Sequence, residues 1–102
     1  VTWIDAGLPH ELPDGQAKSM TVGRRTIAVV RNGAEYFAIE DICTHDGAPL
    51  TGGEIEGNEI VCPRHGARFC LRTGAALTPP AYEPVRVYET KIENGRLWVR
   101  AG

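Results

Sequence analysis

The chain is predicted to fold as an all-β, antiparallel domain. Asn32-Gly33 and Asn94-Gly95 each stand between runs rich in β-branched and aromatic residues, the strongest short-range signal for a two-residue hairpin. Ile27-Ala28-Val29-Val30 is apolar at both parities, as a strand buried on two faces would be. No segment of ten or more residues repeats its apolar positions at the helical period, so little helix is expected.

The elements follow in order. Residues 2–4 read as a first short strand, and the stretch from Asp5 to Gln16, with Pro9, Pro13 and Asp14-Gly15, as loop and turn. Ser19 to Val22 and Arg25 to Arg31 read as strands joined across Gly23-Arg24, and Glu35 to Ile39 as the return strand after Asn32-Gly33. A short hairpin is expected from Glu54-Ile55, a turn at Gly57-Asn58 and Glu59 to Val61. Ala67 to Thr73 leads through Gly74 to an apolar, proline-rich loop. Val85 to Ile92 reads as one strand whose apolar parity slips between Val87 and Tyr88, the mark of a bulge, and Arg96 to Val99 closes the last hairpin.

At 102 residues the chain is expected to be a single domain, 1–102. Its formal charge of −2 offers no basic stripe for nucleic acid. The longest unbroken apolar run is far short of a membrane span, and the first residues lack the basic start and apolar core of a secretion signal. A cytoplasmic setting is therefore expected, where the three cysteines favour metal ligation or free thiols over structural disulfides. Nothing demands more than a monomer.

Chemistry concentrates between Cys43 and Gly66. Cys43-Thr44-His45 is followed, after sixteen residues, by Cys62-Pro63-Arg64-His65. Each loop offers one thiolate and one imidazole, and the short hairpin between them would hold the loops side by side. A glycine closely follows each histidine, Gly47 and Gly66, where close backbone approach would let N–H groups donate to a sulfur. Thiolate and neutral imidazole suit zinc or iron. One zinc would take all four in a tetrahedron, although zinc modules usually pair like with like at each knuckle. A mixed pair per loop suits a two-iron cluster, with the thiolates on one iron and the imidazoles on the other.

Cys43-x-His45 … Cys62-x-x-His65-Gly66 resembles the Rieske [2Fe–2S] motif. The likeness extends to CTHDGAPL (43–50), CPRHGARF (62–69), Arg72-Thr73-Gly74 and Pro79-Pro80, and with the hairpins it covers essentially the whole chain. The resemblance implies the Rieske fold: an antiparallel sandwich or barrel-like base domain, 1–40 and 81–102, with an inserted cluster-binding subdomain of two loops, about 41–80. It implies one [2Fe–2S] cluster, with Cys43 and Cys62 on the inner iron and His45 and His65 on the outer one near the surface. Two neutral imidazoles leave the cluster less negative than four thiolates would, so it is easier to reduce.

The likeness is to the soluble, low-potential ferredoxins that serve oxygenases. Quinol-oxidising relatives clip their loops with a disulfide, whose places are taken here by Ala48 and Arg64. Their serine and tyrosine donors to the sulfurs are matched here by Ala67 and Phe69, which cannot donate. Beyond the four ligands only His10 remains, so a mononuclear iron site cannot be built, and no Gly-rich dinucleotide fingerprint is present. The expected role is an electron carrier and not an enzyme, passing single electrons from a flavin- and NAD(P)H-dependent reductase to a terminal oxygenase or other redox acceptor. The alternatives are an accessory subunit of a larger enzyme, as in assimilatory nitrite reductase, or a zinc-stabilised binding module.

The other conspicuous residues have plainer readings. Cys70, where many relatives carry aspartate, is expected to be a partly buried small side chain. His10 reads as a solvated loop residue, and Trp3 and Trp98 as core or edge packing. Pro79-Pro80 is expected to shield the cluster. Asp46, Glu54, Glu56 and Glu59 form either a partner patch or a solvated face.

Overall fold

The computed structural model describes residues 2–45 and 47–101. Among these residues ten strands form three antiparallel sheets: β1 (Trp3–Asp5), β2 (Ala17–Val22), β3 (Arg25–Asn32), β4 (Glu35–Glu40), β5 (Ile55–Glu56), β6 (Glu59–Val61), β7 (Arg68–Cys70), β8 (Val87–Tyr88), β9 (Thr90–Glu93) and β10 (Arg96–Arg100). The central sheet runs β2-β3-β4-β8, the terminal sheet β1-β10-β9 and the small sheet β5-β6-β7. One 3-10 turn, Pro9–Glu11, interrupts the first loop. Among the described residues no helix is long and apolar enough to cross a membrane.

Strand β3 separates two cores. Its residues Ile27 to Val30 are all fully buried, and successive side chains point to opposite faces. Ile27 and Val29 pack with Ala38, Tyr88, Leu97 and Val99, joining the central sheet to the terminal one. Ala28 and Val30 pack with Ile39, Leu50, Ile60, Phe69, Leu71, Cys43 and Cys62, joining it to the small sheet and the loops. Fully burying a side chain such as Phe69 stabilises the fold by about 1.5–3 kcal/mol. The central and terminal sheets make a sandwich and do not close into a barrel.

The stretch from Val85 to Ile92 is not one bulged strand. Val87–Tyr88 pairs with β4 in the central sheet, and Thr90–Glu93 pairs with β10 in the terminal sheet. The parity slip in the sequence marks a chain leaving one sheet for the other. Tyr88 points into the core between them while Val87 is exposed, and the Thr90 hydroxyl donates to the Tyr36 carbonyl across the corner at 2.9 Å.

The small sheet is tied to the central one at a turn. Asn32, the asparagine of the first hairpin, donates through its side-chain amide to the Gly57 carbonyl at 2.6 Å and to the Asn58 side chain at 3.2 Å. Leu71 donates its N–H to the Asn58 carbonyl at 2.8 Å. The turn between β5 and β6 is thereby fixed from both sides, and with it the spacing of the loops at either end of that hairpin.

Candidate metal centre

Two turns of one design carry the sequence-predicted ligands. In the first, the N–H of Cys43 donates to the Ala48 carbonyl at 2.6 Å and the N–H of Gly47 donates to the Cys43 carbonyl at 2.7 Å. In the second, the N–H of Cys62 donates to the Ala67 carbonyl at 2.7 Å and the N–H of Gly66 donates to the Cys62 carbonyl at 3.0 Å. The bonds fall at the same offsets from each cysteine, although the histidines sit at different offsets. Gly47 and Gly66 have φ of 79° and 74°, the left-handed region that favours glycine, and a Cβ on either would meet nothing within 4 Å. Their role is thus the turn itself, not close approach. Their N–H groups are used on cysteine carbonyls, which corrects the expectation that they face a sulfur.

The four side chains sort by type. Cys43 and Cys62 are buried in the same core, while His45 and His65 are exposed, their ring centroids 5.2 Å apart and their planes at 84°. Among the described residues no three His, Cys, Asp or Glu side chains converge on one point, as a single four-ligand ion would ask. Two ions, each with two protein ligands, ask for no such convergence. The donor set therefore fits a two-iron group, with a thiol pair inside and an imidazole pair outside.

Residues 2–89 match the Rieske [2Fe-2S] domain family. The chain belongs to that family. A Rieske domain carries a [2Fe–2S] cluster, and the paired loops are the part of the molecule with its donor chemistry. Among curated relatives, the ferredoxin component of a naphthalene 1,2-dioxygenase system from Pseudomonas aeruginosa is 37% identical over 95% of this chain and 93% of its own length. Among solved structures, the ferredoxin of carbazole 1,9a-dioxygenase from Nocardioides aromaticivorans IC177 superposes with a TM-score of 0.94, covering 100% of both chains at 31% identity. A ferredoxin seen in complex with the oxygenase of carbazole 1,9a-dioxygenase superposes with a TM-score of 0.89 at 33% identity, over 95% of this chain and 91% of that one.

Sequence reasoning missed the residue that braces the first Rieske loop. Asp41 is the one buried polar residue among those described. One carboxyl oxygen accepts the N–H groups of Leu50 and Thr51, and the other accepts the Thr51 hydroxyl, all at 2.8 Å. The signal was present: Asp41 lies two residues after the buried Ile39, so strand alternation turns it to the same inner face.

The proline loop packs against the site. Ala81 and Val85 are buried in the core that holds both cysteines, and the Thr44 hydroxyl donates to the Glu83 carbonyl at 2.7 Å, joining the loop to the residue before His45. The Arg68 N–H donates to the Thr78 hydroxyl at 3.0 Å. Pro79-Pro80 is a cis peptide.

The remaining residues are less involved. Cys70 is half-buried, and the Thr73 side chain and backbone N–H, hydrogen-bonded to its sulfur, hold its thiol below the usual range. His10 is exposed on the 3-10 turn. Trp3 and Trp98 lie half-buried on the terminal sheet, away from the loops, with the Lys91 ammonium 4.3 Å from the centre of the Trp3 ring. Of the acidic four, Asp46 lies outside the described residues. Glu56 and Glu59 both pair with Arg68, at 3.0 and 3.5 Å, and Glu54 is exposed.

Proposed function

We propose that this chain is the ferredoxin component of a multi-component oxygenase system, a cytoplasmic carrier that takes single electrons from a flavin- and NAD(P)H-dependent reductase to a terminal oxygenase. The observation that carries this reading is the sorted donor set: buried Cys43 and Cys62 beneath exposed His45 and His65 on two matched turns. We assign Cys43 and Cys62 to one iron and His45 and His65 to the other. When bound, the cluster accepts and releases one electron. The chain's own residues shape where that electron can go. Buried cysteines keep water from the sulfur side, and exposed imidazole edges bring the outer side to within reach of a partner. The clamped proline loop covers the flank, and Asp41 keeps the first turn closed.

The chain is read as a base of about 1–40 and 81–102 with a cluster-binding insertion of about 41–80. Support comes from the small sheet, whose three strands pair with no strand of the other two sheets, and from the core it shares with both cysteines. The test is the EPR spectrum after dithionite reduction, with iron and sulfide quantified on the same sample. A rhombic signal of low average g, with about two irons and two sulfides per chain, is expected. His65→Ala and Cys43→Ser are expected to lose that signal. A silent, colourless protein with zinc bound would overturn the carrier reading, and a full cluster in either variant would overturn the ligand assignment.

A further inference from the structure

The surface beside the first ligand loop carries a charge that overall composition hides. The hairpin joining β2 and β3 puts Arg24 and Arg25 at its tip. Across a cleft of about 460 Å³ they face Ile42, Gly47 and Pro49 of the loop that bears His45. Arg68, Arg72, Arg96 and Arg100 each pair with a carboxylate at 2.7–3.0 Å. Arg24 and Arg25 are exposed and have no ion-pair partner among the described residues. The acids of the same cleft each accept backbone N–H groups. Asp41 is used by Leu50 and Thr51, and Glu40 accepts the Arg86 N–H at 3.3 Å. Arg25 also lines a second cleft with Arg86, where Arg100 is paired with Glu89. On the other flank the cleft beside Cys62, Pro63 and Gly66 is lined by the exposed Glu54.

We infer that the face bearing the histidines is electrically polarised, and that Arg24 and Arg25 recognise an acidic, Asp/Glu-rich docking surface on a protein redox partner. The inference rests on the carrier reading above. A chain of net charge −2 repels such a surface on average, so two unpaired guanidiniums beside the exit set the approach direction. Polyphosphates fit less well. Their affinity rests on many neutralised phosphates, and here Glu40 and Glu89 interrupt the patch.

The test needs no cognate partner. The reduced holoprotein gives one electron to ferricyanide, forming ferrocyanide and the oxidised protein. Arg24→Gln/Arg25→Gln and Lys91→Glu change the net charge equally, but Lys91 lies on the terminal sheet, beyond the core that joins it to the central sheet. At about 0.01 M salt, where charges act over ~30 Å before screening takes hold, the double variant should react about tenfold more slowly than wild type. The gap should close at high salt, and Lys91→Glu should stay near wild type. A second readout is independent of electron transfer: hexacyanochromate(III) should broaden the NMR amide signals of residues 23–26 in wild type and not in the double variant. Equal rates for the two variants, or no selective broadening at the hairpin, would overturn the inference. Absence of a reducible cluster would instead defeat the carrier reading, and the broadening would still report on the patch.

Discussion

Asp41 holds the first turn from beneath, and its three hydrogen bonds are all to residues at the far end of the loop that begins at Cys43. Asp41→Ala leaves the buried N–H of Leu50 and the half-buried N–H of Thr51 without their acceptor, at a cost of about 1–3 kcal/mol for the first and less for the second. Denaturant unfolding should show a loss in that range, with iron content reduced at equal protein concentration. Asp41→Asn keeps one oxygen for the two N–H groups and an amide donor for the Thr51 hydroxyl, so it should retain most of both. Ala67 and Phe69 act by what they lack. Both are fully buried against the cysteine core, and neither side chain offers a donor to a reduced, more negative cluster. The midpoint potential should therefore lie near the low end of the Rieske range, about −150 mV rather than +300 mV. Protein-film voltammetry would measure it, and a value above zero would show that other donors reach the sulfurs. Ala67→Ser should move it upward.

The two turns separate glycines that serve conformation from one that serves space. Gly66→Ala places its Cβ in open surroundings and asks only for a left-handed backbone, at about 1–2 kcal/mol. Gly53 sits where the first loop meets β6, and a Cβ there would lie 2.0 Å from the Val61 carbonyl oxygen. Gly53→Ala cannot be accommodated without moving backbone next to Cys62. Gly66→Ala should keep its cluster at reduced stability, while Gly53→Ala should lose iron, both readable from the visible spectrum. Neither role was legible in the sequence: Gly66 was expected to permit close backbone approach and instead makes the turn, and a steric limit set by Val61 is visible only once the loops are packed. The last hairpin was legible as placed, since Asn94-Gly95 is the two-residue loop between Glu93 and Arg96, whereas Asn32 still pairs with Glu35 and the loop there is Gly33-Ala34, one residue later than expected. Val85 to Ile92 was misread because periodicity reports which face a residue uses and not which sheet it belongs to. Asp41 was overlooked because a carboxylate after a strand reads as solvent-facing until its partners are known.

The two cores make different demands on the metal. The core between the central and terminal sheets contains Ile27, Val29, Leu97 and Val99 and no cluster ligand, so its packing is complete from the chain alone. The other core contains both Cys43 and Cys62, and the small sheet and proline loop have little else to pack on. Binding energy at metal sites is coupled to the folding of the segments that supply the ligands, and stability is not uniform across a structure. Removing the cluster should therefore loosen about 41–80 and leave the sandwich folded. Native-state hydrogen exchange on metal-free protein should show β3, β4 and β10 still protected while amides of β5 to β7 exchange near the open-chain rate. Leu50 and Leu71 make this a demanding test, since both are fully buried on the metal side and would keep their neighbours protected if apolar packing alone sufficed. Uniform loss of protection across all three sheets would mean that the second core depends on the first, through Ala28 and Val30 on the same strand as Ile27 and Val29. Retained protection in β5 to β7 would mean that the small sheet stands without the cluster, and the division at 41–80 would then mark a ligand-bearing surface and not a folding unit.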